Sequence, residues 1–286
     1  MSGFSADWLA LREPFDAAAR SSSLIAELWG HLPRGAPLEV LDLGCGAGSN
    51  LRHLAPLIGG AQRWRLADRD PQLLEAAIAT THAWADERGA SVKRASSSLT
   101  IRGGSLECDV VCEPVDLTEL AVVDVPVKGL VAAAALLDLV SRTWLDALAE
   151  RCRAAGAAVC FALSYDGRTT VEPAEPEDSE VLELFNRHQL GDKGFGPALG
   201  PSAAAAAEAA FRAHGYEIRV APSDWRVGPH EPALQIALLD GWLGAALELT
   251  PARRSALEAW HGRRHAHVAA GRSSLRVGHV DLIGWL

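Results

Sequence analysis

The segment Val40-Leu41-Asp42-Leu43-Gly44-Cys45-Gly46-Ala47-Gly48-Ser49-Asn50 constrains this chain more than any other. Its first residues read as a buried strand. Three glycines at alternate positions follow, and a helix is expected after them. Glycine lacks a Cβ and adopts positive φ freely, so the backbone can turn sharply here and pass close to a ligand. Ser49 or Asn50 can cap the helix. Strand, glycine turn and helix in this order hold a nucleotide-type ligand at the carboxyl end of a parallel sheet.

Spacing narrows the ligand. Gly44 and Gly46 fit the first two positions of a G-x-G-x-x-G dinucleotide fingerprint, but Ser49 stands where the third glycine belongs. A phosphate-binding P-loop needs a Lys followed by Ser or Thr, and none is present. The pattern G-x-G-x-G after V-L-D-L resembles the first motif of the class I S-adenosylmethionine-dependent methyltransferases. The resemblance implies a Rossmann-like three-layer α/β sandwich with a seven-stranded, mostly parallel sheet ordered 3-2-1-4-5-7-6. It also implies S-adenosyl-L-methionine as cofactor, lying against Asp42, Gly44, Cys45, Gly46, Gly48 and Asn50. The alternative for the turn alone is a ligand-free βα corner that merely needs glycines.

Further segments fit the same resemblance. A second strand, Arg63 to Ala67, runs into Asp68-Arg69-Asp70-Pro71. The family carries a carboxylate here that accepts hydrogen bonds from both ribose hydroxyls. Asp68 fits that role, with Arg69 beside it. Asp70 reads as the N-cap of a helix begun by Pro71. A hairpin is expected around Gly103-Gly104, and a third strand over Cys108 to Val115. Asp116-Leu117 after it matches the adenine-binding position, or else Asp116 caps a turn. The fourth strand, Lys128 to Ala133, emerges at Ala134, where small residues leave room for the methionine part. Asp138 follows and is either a catalytic carboxylate or a helix cap. The fifth strand ends at Leu163, which makes Tyr165 and Asp166 substrate-side candidates.

The second half of the chain is less regular. Residues 169–178 read as an exposed loop. Phe185 to Pro201 mixes four glycines with hydrogen-bonding side chains and two phenylalanines, a composition no core requires. It is read as a substrate lid bearing Lys193 and Phe195, with His188 as first candidate for a general base and Asp192 next. Two helices, about 232–249 and 251–270, separate the last two strands. The second is basic (Arg253, Arg254, Arg263, Arg264). It is either a solvated face or a pocket for an acidic small molecule. His265 and His267 face different sides of that helix, so no metal site is expected. At the amino end, Pro14 is expected to start a helix. Arg12 and Arg20 are candidates to meet the cofactor carboxylate.

These readings give one domain over 1–286, with an N-terminal helical cap (1–35), a lid insertion (168–202) and a two-helix insertion (230–271). The net charge of −9 argues against nucleic acid or an anionic membrane as partner. Five cysteines form no C-x-x-C pair and read as core residues of a reducing compartment. No stretch approaches the ~18 apolar residues of a membrane span. The expected protein is a cytoplasmic enzyme, possible as a homodimer, that moves a methyl group to an O or N atom of a small molecule. The alternatives are a cofactor-binding protein with other chemistry and a catalytically silent partner subunit.

Overall fold

The computed structural model describes residues 4–286. Helices α1 (Ala6–Ala19) and α2 (Ser22–Trp29) lead into β1 (Leu38–Leu43), α3 (Ser49–Ile58), β2 (Gly60–Asp68) and α4 (Pro71–Glu87). The antiparallel strands β3 (Ser91–Arg94) and β4 (Ser98–Gly103) precede β5 (Leu106–Pro114). Then come β6 (Leu130–Ala134), α5 (Arg142–Ala155), β7 (Ala158–Glu172), α6 (Asp178–Gln189), α7 (Ala203–Ala213) and β8 (Glu217–Pro222). The chain closes with β9 (Trp225–Val227), α8 (Pro232–Leu249), α9 (Arg254–Ala269) and β10 (Ser274–Trp285).

All ten strands form one sheet, ordered β3-β4-β5-β2-β1-β6-β7-β10-β8, with β9 paired to β10. The seven strands read from sequence keep the order 3-2-1-4-5-7-6, but the sheet is larger than seven. The predicted hairpin at Gly103-Gly104 and the predicted third strand are one unit. β5 is the hairpin's second arm, and β3 and β4 extend that edge.

Strand β1 sits at the centre and is almost wholly buried, so it reads as an apolar run rather than an alternation. Its side chains divide the core between two faces. Val40 joins Leu28, Leu51, Trp64 and Leu130 on the side of α2, α3 and α4. Leu41 and Leu43 join Val131, Phe161, Leu145 and Phe211 on the side of α5 and α7. All five cysteines are free and buried, and burial pushes the Cys112 and Cys160 thiols up to about 11. They pack as small hydrophobes.

A third cluster has no counterpart in the sequence reading. β7 does not stop at Leu163 but runs to Glu172, paired along its length with β10. This long ribbon projects beyond the sheet, and Tyr165, Val171, Leu275 and Val277 cover it with α6, α8 and α9 through Leu184, Leu234, Trp242 and Trp260. The loop expected over 169–178 is therefore strand for its first four residues. Pro14 likewise lies inside α1, whose N-cap is Ser5, its Oγ accepting from the Trp8 N–H. Among the described residues, no single helix is long and apolar enough to cross a membrane.

Candidate functional site

The carboxyl ends of β1, β2, β5 and β6, with the middle of β7 at Leu163 and Tyr165, open into a cavity of about 570 Å³ roofed by α1, α6 and α8. Gly48 takes a φ of 80° and itself occupies the N-cap of α3, without a side-chain cap. Neither Ser49 nor Asn50 caps the helix as expected. Asn50 is instead buried, donating from Nδ2 to Asp42 Oδ1 at 2.7 Å and accepting from Arg20 at 2.7 Å. Gly46 has a φ of 52°, and a Cβ there would lie 2.8 Å from Leu9 Cδ1. Helix α1 thus lies directly over the turn.

Asp68 fixes the turn from the next strand. Its Oδ2 accepts from the Gly46 N–H at 2.9 Å and its Oδ1 from the Asp70 N–H at 3.0 Å. A carboxylate has about four acceptor directions, so each oxygen keeps capacity toward the cavity. Asp70 caps α4 as expected, accepting from the Gln72 N–H at 2.8 Å. Asp116 is exposed at the rim. Its Oδ1 accepts from the Thr118 backbone N–H at 2.9 Å and the Thr118 hydroxyl at 2.8 Å, and these bonds hold its carboxyl below the usual range. Arg69, Leu117 and Ala134 line the same side.

Beyond the turn, the cavity widens into a chamber walled by Trp8, Tyr165, Phe185, Trp225, Trp242 and His279. Asp138 sits at its base. Asp138 is half-buried in the cavity wall, its Oδ1 is buried with no hydrogen-bond partner, and desolvation raises the carboxyl to about 6. Asp138 is not the cap of α5, because Ser141 holds that position and accepts from the Trp144 N–H. Two non-glycine residues with left-handed backbone flank the chamber, Ala135 (φ 51°) and Leu163 (φ 57°). Such conformations cost about 1–3 kcal/mol each and gather at ligand sites.

Neither a family model nor a curated protein matches the chain. Solved structures do. A cyclopropane-fatty-acyl-phospholipid synthase-like protein from Lactobacillus casei is 17% identical with a TM-score of 0.49, over 98% of this chain and 94% of that one. A methyltransferase from Thiobacillus denitrificans, solved with S-adenosyl-L-homocysteine, is 14% identical with a TM-score of 0.45, over 98% of each chain. A cyclopropane synthase from Mycobacterium tuberculosis is 11% identical with a TM-score of 0.43, over 91% of this chain and 83% of that one. The sheet order of the seven central strands is the one the methyltransferase resemblance implies.

Most of the residues singled out from sequence converge on the cavity. Asp42, Gly44, Cys45, Gly46, Asn50, Asp68, Arg69, Asp116, Leu117, Ala134, Asp138, Tyr165, His188, Lys193 and Phe195 all line it. His188 reaches it from α6, but both ring nitrogens are engaged, by Glu248 at 2.9 Å and Lys193 at 3.4 Å. Four expectations fail. Gly48 is not in the cavity wall, and a Cβ there would meet Arg52, Ala77 and Thr81. Arg20 lies behind the turn, bonded to Asn50, and is not in the cavity wall. Asp192 is exposed and folds its own loop, accepting from the Gly194 and Gly196 N–H groups at 2.7 and 3.1 Å. Asp166 is not at a turn after the strand but within β7, paired with Arg168 away from the cavity. Arg12 does line the wall, although Asp16 neutralises it at 2.9 Å and Trp225 stacks on it at 4.9 Å.

Sequence reasoning missed His279, Trp8, Trp225, Trp242 and Glu248. Burial lowers the His279 imidazole to about 3, so it is uncharged at neutral pH. A signal for it existed: Gly278-His279-Val280-Asp281 puts two polar residues in the mostly apolar stretch Val277 to Trp285. The basic character of α9 has a structural outlet, not a ligand. Arg263 binds Glu175 and Glu177, and the fully buried Arg264 binds Asp178. A pocket for an acidic molecule, the alternative to a solvated face, would have to compete with these carboxylates for Arg263 and Arg264.

Proposed function

We propose that the chain is an S-adenosylmethionine-dependent methyltransferase acting on an oxygen or nitrogen atom of a small molecule. The reading rests most on Asp138: a cavity-wall carboxyl with one buried, unpartnered oxygen, beside both the glycine turn and the aromatic walls. The glycine turn, Asp68 and Asp116 would hold the cofactor in extended form. Asp68 would take the ribose hydroxyls on its remaining acceptor positions, and Asp116 the adenine edge on Oδ2. Ala134 and Ala135 leave room for the methionine part. When bound, the cofactor supplies a methyl group on a sulfonium.

The chain's own part is then to position, to desolvate and to take a proton. The aromatic walls exclude water and fix the acceptor against the methyl. Asp138, with its proton affinity raised toward neutrality, accepts the acceptor's proton. Tyr165 is aligned by its hydroxyl, which donates to Asn186 Oδ1 at 2.6 Å. The buried, uncharged His279 offers a second polar contact. The test pairs calorimetry of S-adenosylmethionine with detection of S-adenosylhomocysteine across amine and hydroxyl acceptors. Failure to bind at micromolar cofactor refutes the proposal. Tight binding with no turnover on any acceptor refutes methyl transfer and leaves the silent-partner reading.

A further inference from the structure

We propose a second site, for a divalent transition metal ion, on the outer face of the α8–α9 pair, formed by Asp240, His261 and His265. The sequence reading dismissed a metal because His265 and His267 diverge, and they do: His267 turns to Glu175, at 2.8 Å. The pair that converges is His261 and His265, one turn apart on α9. Both Nε2 atoms approach the same oxygen of Asp240 on α8, at 2.6 and 3.2 Å. The three ligand atoms lie within 4.8 Å of one another.

Those spacings suit a metal. Four-coordinate zinc holds nitrogen and oxygen at 2.0–2.2 Å, which separates neighbouring ligand atoms by about 3.3 Å. Both Asp–His distances fall short of that value, one of them by only about 0.1 Å, so side-chain rotations that open the His261 contact complete a three-ligand face. Each imidazole would carry its proton on Nδ1 and turn the Nε2 lone pair to the ion. The imidazole side chains are 22% and 35% exposed and the Asp240 side chain 55%, which leaves an entry path and a fourth position for water. Local charge permits a cation: Arg263 and Arg264 are turned toward Glu175, Glu177 and Asp178. Imidazole with one carboxylate suits Zn²⁺, Co²⁺ or Ni²⁺ rather than Ca²⁺ or Mg²⁺. The ion would clasp α8 to α9. Because Gly241 and Trp242, the residues after Asp240, line the cavity, the clasp would brace its roof.

Untagged full-length protein titrated with Zn²⁺ should bind one equivalent at micromolar affinity, and Co²⁺ should give the visible absorption of a four-coordinate site. The double variant H261A/H265A should lose at least about a hundredfold in affinity, since even outer-shell changes cost 10–100-fold. Asp240→Asn keeps an oxygen for the imidazole N–H groups but removes the anionic ligand, and should also lose the Co²⁺ signal. Zn²⁺ should raise the melting temperature of the native protein and not of either variant. Absence of saturable binding, or equal binding in the double variant, would overturn the site.

Discussion

Replacing Asp138 by Asn should make the protein more stable and less active at once. Ionising a half-buried carboxyl with one buried, unpartnered oxygen is costly. Its proton affinity shows how costly: burial raises it from 3.8 to about 6. The folded state therefore holds this proton more tightly than the unfolded chain. Its contribution favours folding most at low pH and is lost as pH rises from about 4 through about 6. At roughly 1.4 kcal/mol per tenfold in proton affinity, the ionised group costs about 3 kcal/mol at pH 8 and about half of that at pH 5. Asn removes the charge but buries an amide that needs partners, so a net gain of ~1–3 kcal/mol is expected at pH 8. That is ~2–6 °C in melting temperature for a chain of this size. Melting curves of both proteins at pH 5 and pH 8 check it, because the gap must widen with pH. Turnover should fall by ~10²–10⁴. The native rate should climb through pH 6 as Asp138 ionises, and the variant should lack that limb. A gap that is the same at pH 5 and pH 8, or a variant with native turnover, would refute both the charge cost and the role as base.

Other outcomes follow from single contacts. Asp68→Ala should weaken S-adenosylmethionine by about 1.5–3 kcal/mol in calorimetry, the range for hydrogen bonds to a charged group; native affinity would remove Asp68 from the site. Gly46→Ala forces an alanine into left-handed backbone with its Cβ against Leu9, which should cost at least about 1–2 kcal/mol in chemical denaturation. Adding Leu9→Ala should return only the steric part. Arg264→Ala strands the Asp178 carboxylate beneath α9 and should destabilise by about 3–5 kcal/mol, seen as an early loss of tryptophan fluorescence from Trp260, whose Nε1–H also donates to Asp178.

The glycine-turn half of the cavity was legible because its residues are local. Gly44 to Gly46, Asp68 and Asp116 each sit at or just past the end of a strand, so a strand assignment also places the residue. The aromatic half is assembled from α1, α6, α8, β7, β9 and β10, and no short segment encodes it. Trp8, Trp225 and Trp242 look like ordinary core tryptophans until the ribbon of β7 and β10 brings them together. Asp192 shows the converse error. A polar residue in a glycine-rich loop was read as functional, whereas its carboxylate satisfies the loop's own N–H groups. Asp240 and His261 were invisible as a pair because the contact joins residues 21 apart in sequence on two different helices.

Asp281 ties the two halves together. It is buried in β10 and accepts two backbone N–H bonds at 2.9 Å, from Ser21 between α1 and α2 and from Leu163 in β7. Leu163 is one of the two left-handed residues on the cavity wall, and a β-rich strand does not hold leucine there without compensation. The Asp281 carboxylate supplies it, with a charge-assisted bond from the Leu163 N–H. The same carboxylate anchors the start of α2, and through it the end of α1, whose Leu9 lies over Gly46 and whose Trp8 and Arg12 wall the chamber. The helix covering the glycine turn and the strand carrying Tyr165 are therefore held by one side chain. From sequence, that residue reads only as a polar interruption in the last strand.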